Sequence, residues 1–217
     1  MFFITKQRTI MKTNRRKFLG TVSAGTVALG LNAVEKNFTS LHPKEDSDQN
    51  AKKLVILLAH PNFKDSKANK ALIETVKELN NLTIINLYDA PFNIDTYKNS
   101  ISEANTIVFQ FPFYWASAPS QLKKWCDEIF MGLTGNIKGK KLMVAATTGS
   151  EYEAYRSGGR NQFTMDELLR PYQLLANHSG MVWQTPFVVY GASLPSAPQS
   201  IAEDAIAYKK RIQSFIL

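Results

Sequence analysis

Residues 34–52 show no apolar periodicity, and at Lys53 the pattern changes abruptly. Leu54-Val55-Ile56-Leu57-Leu58-Ala59 is a continuous apolar run rich in branched side chains, which predicts a strand buried on both faces. From Ser66 to Leu79 the apolar residues fall at positions 68, 72, 73, 76 and 79, the spacing of one helical face. Leu82–Leu87 predicts a second strand, and Ile101–Ala104 lies in a short helical segment. Thr106–Phe111 predicts a third strand. Pro119–Met131 predicts a helix with proline in its first turn, where the missing N–H costs little. Leu142–Ala146 predicts a fourth strand. Thr164-Met165-Asp166-Glu167 has the form of a capping box, opening a helix that runs to His178 and stops at Gly180. Val182–Tyr190 predicts a fifth strand despite Pro186, and Ile201–Phe215 a closing helix.

Strands that alternate with helices imply a parallel sheet covered on both faces. The expectation is an α/β three-layer sandwich with a five-stranded parallel sheet in the order 2-1-3-4-5. In such sheets ligands bind beyond the carboxyl ends of the strands, near the point where the order reverses. The loops after strands 1, 3 and 4 are therefore where chemistry is expected.

Charge alters the picture only at the amino end. The chain of 217 residues carries a formal net charge of +8, which on its face suggests nucleic acid. Residues 1–33 hold Lys6, Arg8, Lys12, Arg15, Arg16 and Lys17 and no acidic residue. Without these six, the 26 basic residues fall to 20, against 18 acidic ones. A nucleic-acid-binding domain keeps its basic patch on the folded part, so no nucleic-acid partner is expected. Arg15-Arg16-Lys17-Phe18-Leu19 followed by the mildly apolar Thr21–Ala33 resembles a twin-arginine export signal. The alternative is a basic tail with a chance arginine pair. The expected organisation is a signal over 1–33, a disordered linker over 34–52 and one domain over 53–217. The expected route is the twin-arginine translocase, with a periplasmic or exported protein if the signal acts and a cytoplasmic one if it does not. A single cysteine, Cys126, excludes an internal disulfide and a multi-cysteine metal site, and no metal is expected.

The loop after strand 1, His60-Pro61-Asn62-Phe63-Lys64-Asp65-Ser66-Lys67-Ala68-Asn69, opens a helix. Free N–H groups at a helix start form an anion site, to which Ser66 and Asn69 can add hydrogen bonds and Lys67 a charge. The plainer reading is that Asp65 or Ser66 only caps the helix. No P-loop or G-x-G-x-x-G is present, which disfavours ATP and the usual dinucleotide mode. The loop after strand 3 carries Pro112-Phe113-Tyr114-Trp115, three consecutive aromatics at a strand exit. They suit the wall of a pocket for a flat ring system; an aromatic plug or an oligomer interface is the alternative. After strand 4 come Thr147-Thr148-Gly149-Ser150 and, further on, Tyr155, whose hydroxyl can meet a ring carbonyl or a quinone oxygen. The plain alternative is a surface loop with no ligand.

Together the segments HPNFKDSKAN, QFPFYWASAPSQLKKW, GKKLMVAATTGSEYEAY, ELLRPYQLLANHSGM and PFVVYG make the chain from Lys53 onward resemble the flavodoxin-like NAD(P)H:quinone oxidoreductases. Among these are the bacterial general-stress proteins and the ancillary subunits of glutathione-gated potassium efflux. The resemblance implies bound FMN or FAD, NAD(P)H as electron donor, a quinone-like acceptor, and a homodimer with sites at its interface. It implies that His60, Ser66 and Asn69 surround the flavin phosphate, and that Pro112, Phe113, Tyr114 and Trp115 border the isoalloxazine. Thr147, Thr148, Gly149 and Tyr155 fall near the pyrimidine edge, with Tyr155 the catalytic candidate. Asn161 stands where mammalian relatives carry a histidine soon after that tyrosine, and Ser150 where a second glycine is usual. Three other readings remain. NAD(P)H is scarce outside the cytoplasm, so export favours an electron-transfer flavoprotein with another donor. A regulatory binding subunit of a potassium-efflux system requires a cytoplasmic protein. A cofactor-free fold acting by interaction alone predicts a colourless protein.

Overall fold

The computed structural model describes residues 51–217. The arginine pair, the signal over 1–33 and linker positions 34–50 lie outside the described residues.

Strands β1 (Leu54–Leu58), β2 (Leu82–Asn86), β3 (Thr106–Pro112) and β4 (Lys141–Thr147) pair in the order β2-β1-β3-β4, all parallel. β1, β3 and all but the first residue of β4 are buried, as their near-continuous apolar runs require. Side chains alternate between two cores. Val55, Leu57, Ile107, Phe109, Leu142 and Val144 point to one face, where α2 (Ile94–Glu103), α3 (Ser120–Glu128) and α5 (Arg170–His178) pack. Trp125 is the hub of that face, edge-on to Tyr97 and Phe109 with ring centroids 5.6 and 5.9 Å away. Leu54, Ile56, Leu58, Val108, Met143 and Ala145 point to the other face, under α1 (Ala68–Val76) and α6 (Ala197–Ile216). The fold is the expected three-layer α/β sandwich of flavodoxin type.

Several elements differ from expectation, each for a local reason. The single fifth strand is two: β5 (Val182–Trp183) and β6 (Phe187–Val189), both parallel to β4. The Gln184 N–H still donates to Leu142 O at 2.8 Å, but Pro186 has no N–H to offer and the ladder breaks there. The two pieces continue one edge, so the order 2-1-3-4-5 holds with its last strand interrupted. The helix expected from Thr164 to His178 is likewise two, α4 (Met165–Leu168) and α5, because Pro171 cannot donate to Glu167 O. The capping box at Thr164 is present as expected, with both reciprocal bonds made. α3 ends at Glu128, short of Met131, and gives way to a tighter 3-10 run over Phe130–Asn136 that includes Gly132 and Gly135. α2 is longer than its expected stub: Asn93 caps it by accepting from Thr96 N–H, and Ile94, Tyr97 and Ile101 form a thin apolar stripe in a polar segment. α1 begins two residues later than Ser66.

Candidate functional site

The carboxyl ends of β1, β3 and β4 open into one cleft of about 760 Å³. The expected residues His60, Ser66, Pro112, Phe113, Tyr114, Trp115, Thr147, Thr148 and Gly149 all line it. Asn69 and Tyr155 do not line it; they stand behind its walls.

The floor nearest α1 is rich in donors that each already accept one hydrogen bond. Ser66 Oγ accepts from Asn69 N–H at 3.2 Å, leaving its own proton free. Thr147 Oγ1 accepts from Asn69 Nδ2 at 2.9 Å, with the same consequence. Asn62 N–H donates to His60 Nδ1 at 3.1 Å. Burial holds the His60 pKa below its ordinary 6.5, so the ring is neutral at pH 7 and its proton sits on Nε2. Two hydroxyls, the His60 ring, the Ala68 amide at the start of α1 and the Lys67 side chain thus share one rim. Asp65 also lines the rim, and its carboxylate is occupied by Asn62 Nδ2 at 2.7 Å. Ser66 does help start the helix, as the plainer reading had it, without giving up its donor.

Asn69 acts from beneath. It is 1% exposed and belongs to a buried polar chain. Tyr208 Oη on α6 donates to Gln110 Oε1 at 2.8 Å, and Gln110 Nε2 donates to Asn69 O and Oδ1 at 3.2 and 3.3 Å. Asn69 Nδ2 then reaches Thr147. The chain ties the closing helix to the end of β4.

The aromatic run splits by position. Phe113 is buried, Tyr114 is half exposed and Trp115 is 100% exposed. Tyr114 and Ser117 exchange both main-chain hydrogen bonds, at 2.9 and 3.0 Å, across a two-residue turn. Trp115 and Ala116 both have positive φ, 49° and 65°. Such a turn normally takes Asn-Gly, so a β-carbon at each position is strained. The turn holds a whole indole in solvent at the cleft rim. Behind Phe113 stands Tyr155, ring centroids 6.3 Å apart, itself packed on Tyr190 at 5.9 Å. Burial, reinforced by Tyr152, Asp166 and Tyr155, pushes the Tyr190 hydroxyl pKa up to about 12.

The residues after β6 were not foreseen. Ala192 and Ser193 close the cleft beside Gly149, with Ala192 N–H donating to Thr148 O at 2.8 Å and Gly191 N–H to Ser150 O at 2.7 Å. The signal available was Gly191 at the end of PFVVYG: its φ of +71° is a turn requirement at the carboxyl end of a strand.

The profile of the family described as "Flavodoxin-like fold" matches residues 52–212. The chain belongs to this flavodoxin-like family. It is 37% identical over 174 residues to general stress protein 14 of Bacillus subtilis (strain 168), covering 76% of this chain and 97% of that protein. It is also 37% identical to the uncharacterized NAD(P)H oxidoreductase YdeQ of the same organism, covering 76% and 88%. Among solved structures, the general stress protein 14 of Treponema denticola in complex with FMN superimposes with a TM-score of 0.70. It is 27% identical, covering 75% of this chain and 99% of that one. Family membership accounts for the position of the cleft, since this architecture gathers loops at the carboxyl ends of its strands.

Proposed function

We propose that the cleft binds FMN and that the protein is a flavin-dependent NAD(P)H oxidoreductase with a quinone-like acceptor. The observation that carries this reading is the pairing, in one cleft, of a donor-rich rim at a helix start with an aromatic wall. A phosphate monoester finds donors at Ser66, Thr147, His60 and the Ala68 amide that opens α1. A flat ring system finds an apolar border at Pro112–Trp115. The FMN complex of the Treponema denticola relative and the oxidoreductase name of YdeQ point the same way.

When bound, FMN supplies the hydride chemistry. This chain's residues bind, orient and shield. Ser66, Thr147 and Lys67 hold the anionic end. Phe113 backs the wall, while Tyr114 and Trp115 extend it into solvent as a stacking surface for the nicotinamide and then for the acceptor. Gly149 lacks a side chain where a β-carbon would come within 2.9 Å of Ser193 Oγ, which keeps the cleft floor open. Tyr155 acts on the lining through Phe113, as a positioning residue. The protein works as a homodimer, and the arginine pair directs export through the twin-arginine route.

The test is an absorption spectrum of the purified protein incubated with FMN and desalted, then treated anaerobically with NADPH or NADH. Retained flavin that bleaches with either nucleotide is the expected result. Retained flavin that neither nucleotide bleaches favours an electron carrier with another donor, the reading that export supports. A protein that retains no flavin defeats the proposal.

A further inference from the structure

The opposite end of the sheet holds a second polar cavity, unrelated to the cleft. The amino ends of β1, β3 and β4 frame about 520 Å³ lined by Lys52, Thr106, Asn136, Lys138, Lys140 and Lys141, among others. Four lysines are among its lining residues and, among the described residues, no carboxylate lines the space; the Lys141 ammonium lies over the Phe215 ring, 5.3 Å from its centroid. Outside the first 33 residues basic and acidic residues nearly balance, so this is a local concentration and not a trend of the chain. Lys53, next along, is paired with Glu103 at 2.7 Å. Among the described residues none of the four cavity lysines makes an ion pair.

Two of these groups are short of a partner. The Lys140 ammonium donates to Ser102 O at 2.7 Å and to Ala104 O, two neutral acceptors, and has a third proton to place. Burial lowers its pKa, the mark of a charge withdrawn from water without a counter-ion. Thr106, 1% exposed, has a hydroxyl with no hydrogen-bond partner among the described residues. A buried hydroxyl left unpaired is costly and uncommon. An anion in the cavity would take the free Lys140 proton and relieve the mutual repulsion of the lysines.

We propose that this cavity binds a phosphate group, presented by a soluble phosphorylated molecule or by the headgroup of an acidic phospholipid. A phosphate carries enough charge and enough acceptor oxygens to meet several ammoniums at once, where a carboxylate offers two oxygens. Among the described residues no aromatic side chain lines the cavity, so a nucleobase finds no stacking surface there and the phosphate itself is what is recognised. The volume exceeds that of a bare ion and admits the attached group.

The test is titration of the full-length protein with sodium pyrophosphate, followed by amide NMR signals at both ends of the sheet. Saturable shifts are expected at Thr106, Gly139 and Lys141, in addition to any at Lys67, Ala68 and Gly149 in the cleft. In the Lys52→Gln/Lys138→Gln variant, which alters two exposed side chains, the dissociation constant at the first set should rise about tenfold. The cleft signals of that variant should titrate as in wild type. Saturation confined to the cleft signals, or equal affinity in the lysine variant, overturns the proposal. Sedimentation with vesicles separates the two sources. Lysine-dependent binding to phosphatidylglycerol but not phosphatidylcholine vesicles identifies the lipid headgroup; pyrophosphate binding without it identifies a soluble ligand.

Discussion

Asn69 shows how much a single buried polar residue can organise. Its amide N–H holds Ser66, its side chain holds Thr147, and its two oxygens receive Gln110. Asn69→Ala should cost about 2 kcal/mol, because it strips Thr147 and Gln110 of buried partners. Tyr208→Phe leaves Gln110 Oε1 unpaired from the other side. If the chain from α6 to β4 is one network, the two substitutions should couple by at least about 0.5 kcal/mol in a double-mutant cycle of urea unfolding. Additive losses would show that the bonds act separately. The Trp115-Ala116 turn makes the opposite case, of a residue that opposes the fold. A left-handed alanine costs about 1–2 kcal/mol, while glycine there loses about 0.5–1 kcal/mol in chain entropy. Ala116→Gly should therefore raise stability by about 0.5 kcal/mol, read as a higher urea midpoint at unchanged slope. A lower midpoint would mean that the turn is not strained at that position.

Elements were legible where burial and periodicity agree, and illegible where a polar atom decides. β1, β3 and β4 announced themselves because both faces are covered, leaving near-continuous apolar runs. α2 hid because its outward residues are polar and only Ile94, Tyr97 and Ile101 mark the inner stripe. The breaks at Pro171 and Pro186 each turn on one missing N–H inside a segment whose apolar pattern runs straight through. The cleft was legible loop by loop after β1, β3 and β4, but not in Ala192 and Ser193, small residues with no chemistry of their own. Tyr155 and Asn69 carried the right chemistry in sequence, yet which side of a wall a residue stands on depends on packing. The capping box of α4 was read directly, and it supports a test at this scale. The Glu167 carboxyl is held below its ordinary 4.5 by the Thr164 main-chain N–H first and the hydroxyl next. A lowered acid stabilises the fold while ionised, above that ordinary value, and loses its contribution as pH falls through the lower folded value. Loss of the N-cap in Thr164→Ala should cost about 1 kcal/mol at neutral pH, and the gap to wild type should narrow as acidification protonates Glu167 and its bond to the hydroxyl weakens. A gap that stays constant to low pH would separate the cap from the carboxylate.

At the scale of the molecule, the described surface is unfinished beside the cleft. Ser117, one residue past the strained turn, begins an apolar groove of about 870 Å³ between α3, the 3-10 run and α5, lined by Phe130, Met131, Tyr172 and Leu175. Met131 and Leu174 are largely exposed, and Trp115 wholly so. A lone exposed apolar residue needs no explanation, but several of them bordering one groove and one cleft rim form the kind of patch that another surface covers. A second copy of the chain is the covering that the proposed homodimer supplies, and it would give Trp115 a reason to stand in solvent: the cleft would be completed by the partner. If so, assembly and cofactor retention are linked, because whatever binds only the assembled form favours assembly in turn. Met131→Glu places a charge in the groove without touching the donor rim. By light scattering, wild type should elute at twice the 24.4 kDa of one chain and the variant at that mass, and the variant should also lose FMN on desalting. A variant that dissociates yet keeps FMN as tightly would mean that each cleft is complete alone. A wild type that is monomeric with FMN bound would assign the groove and the indole to a different partner.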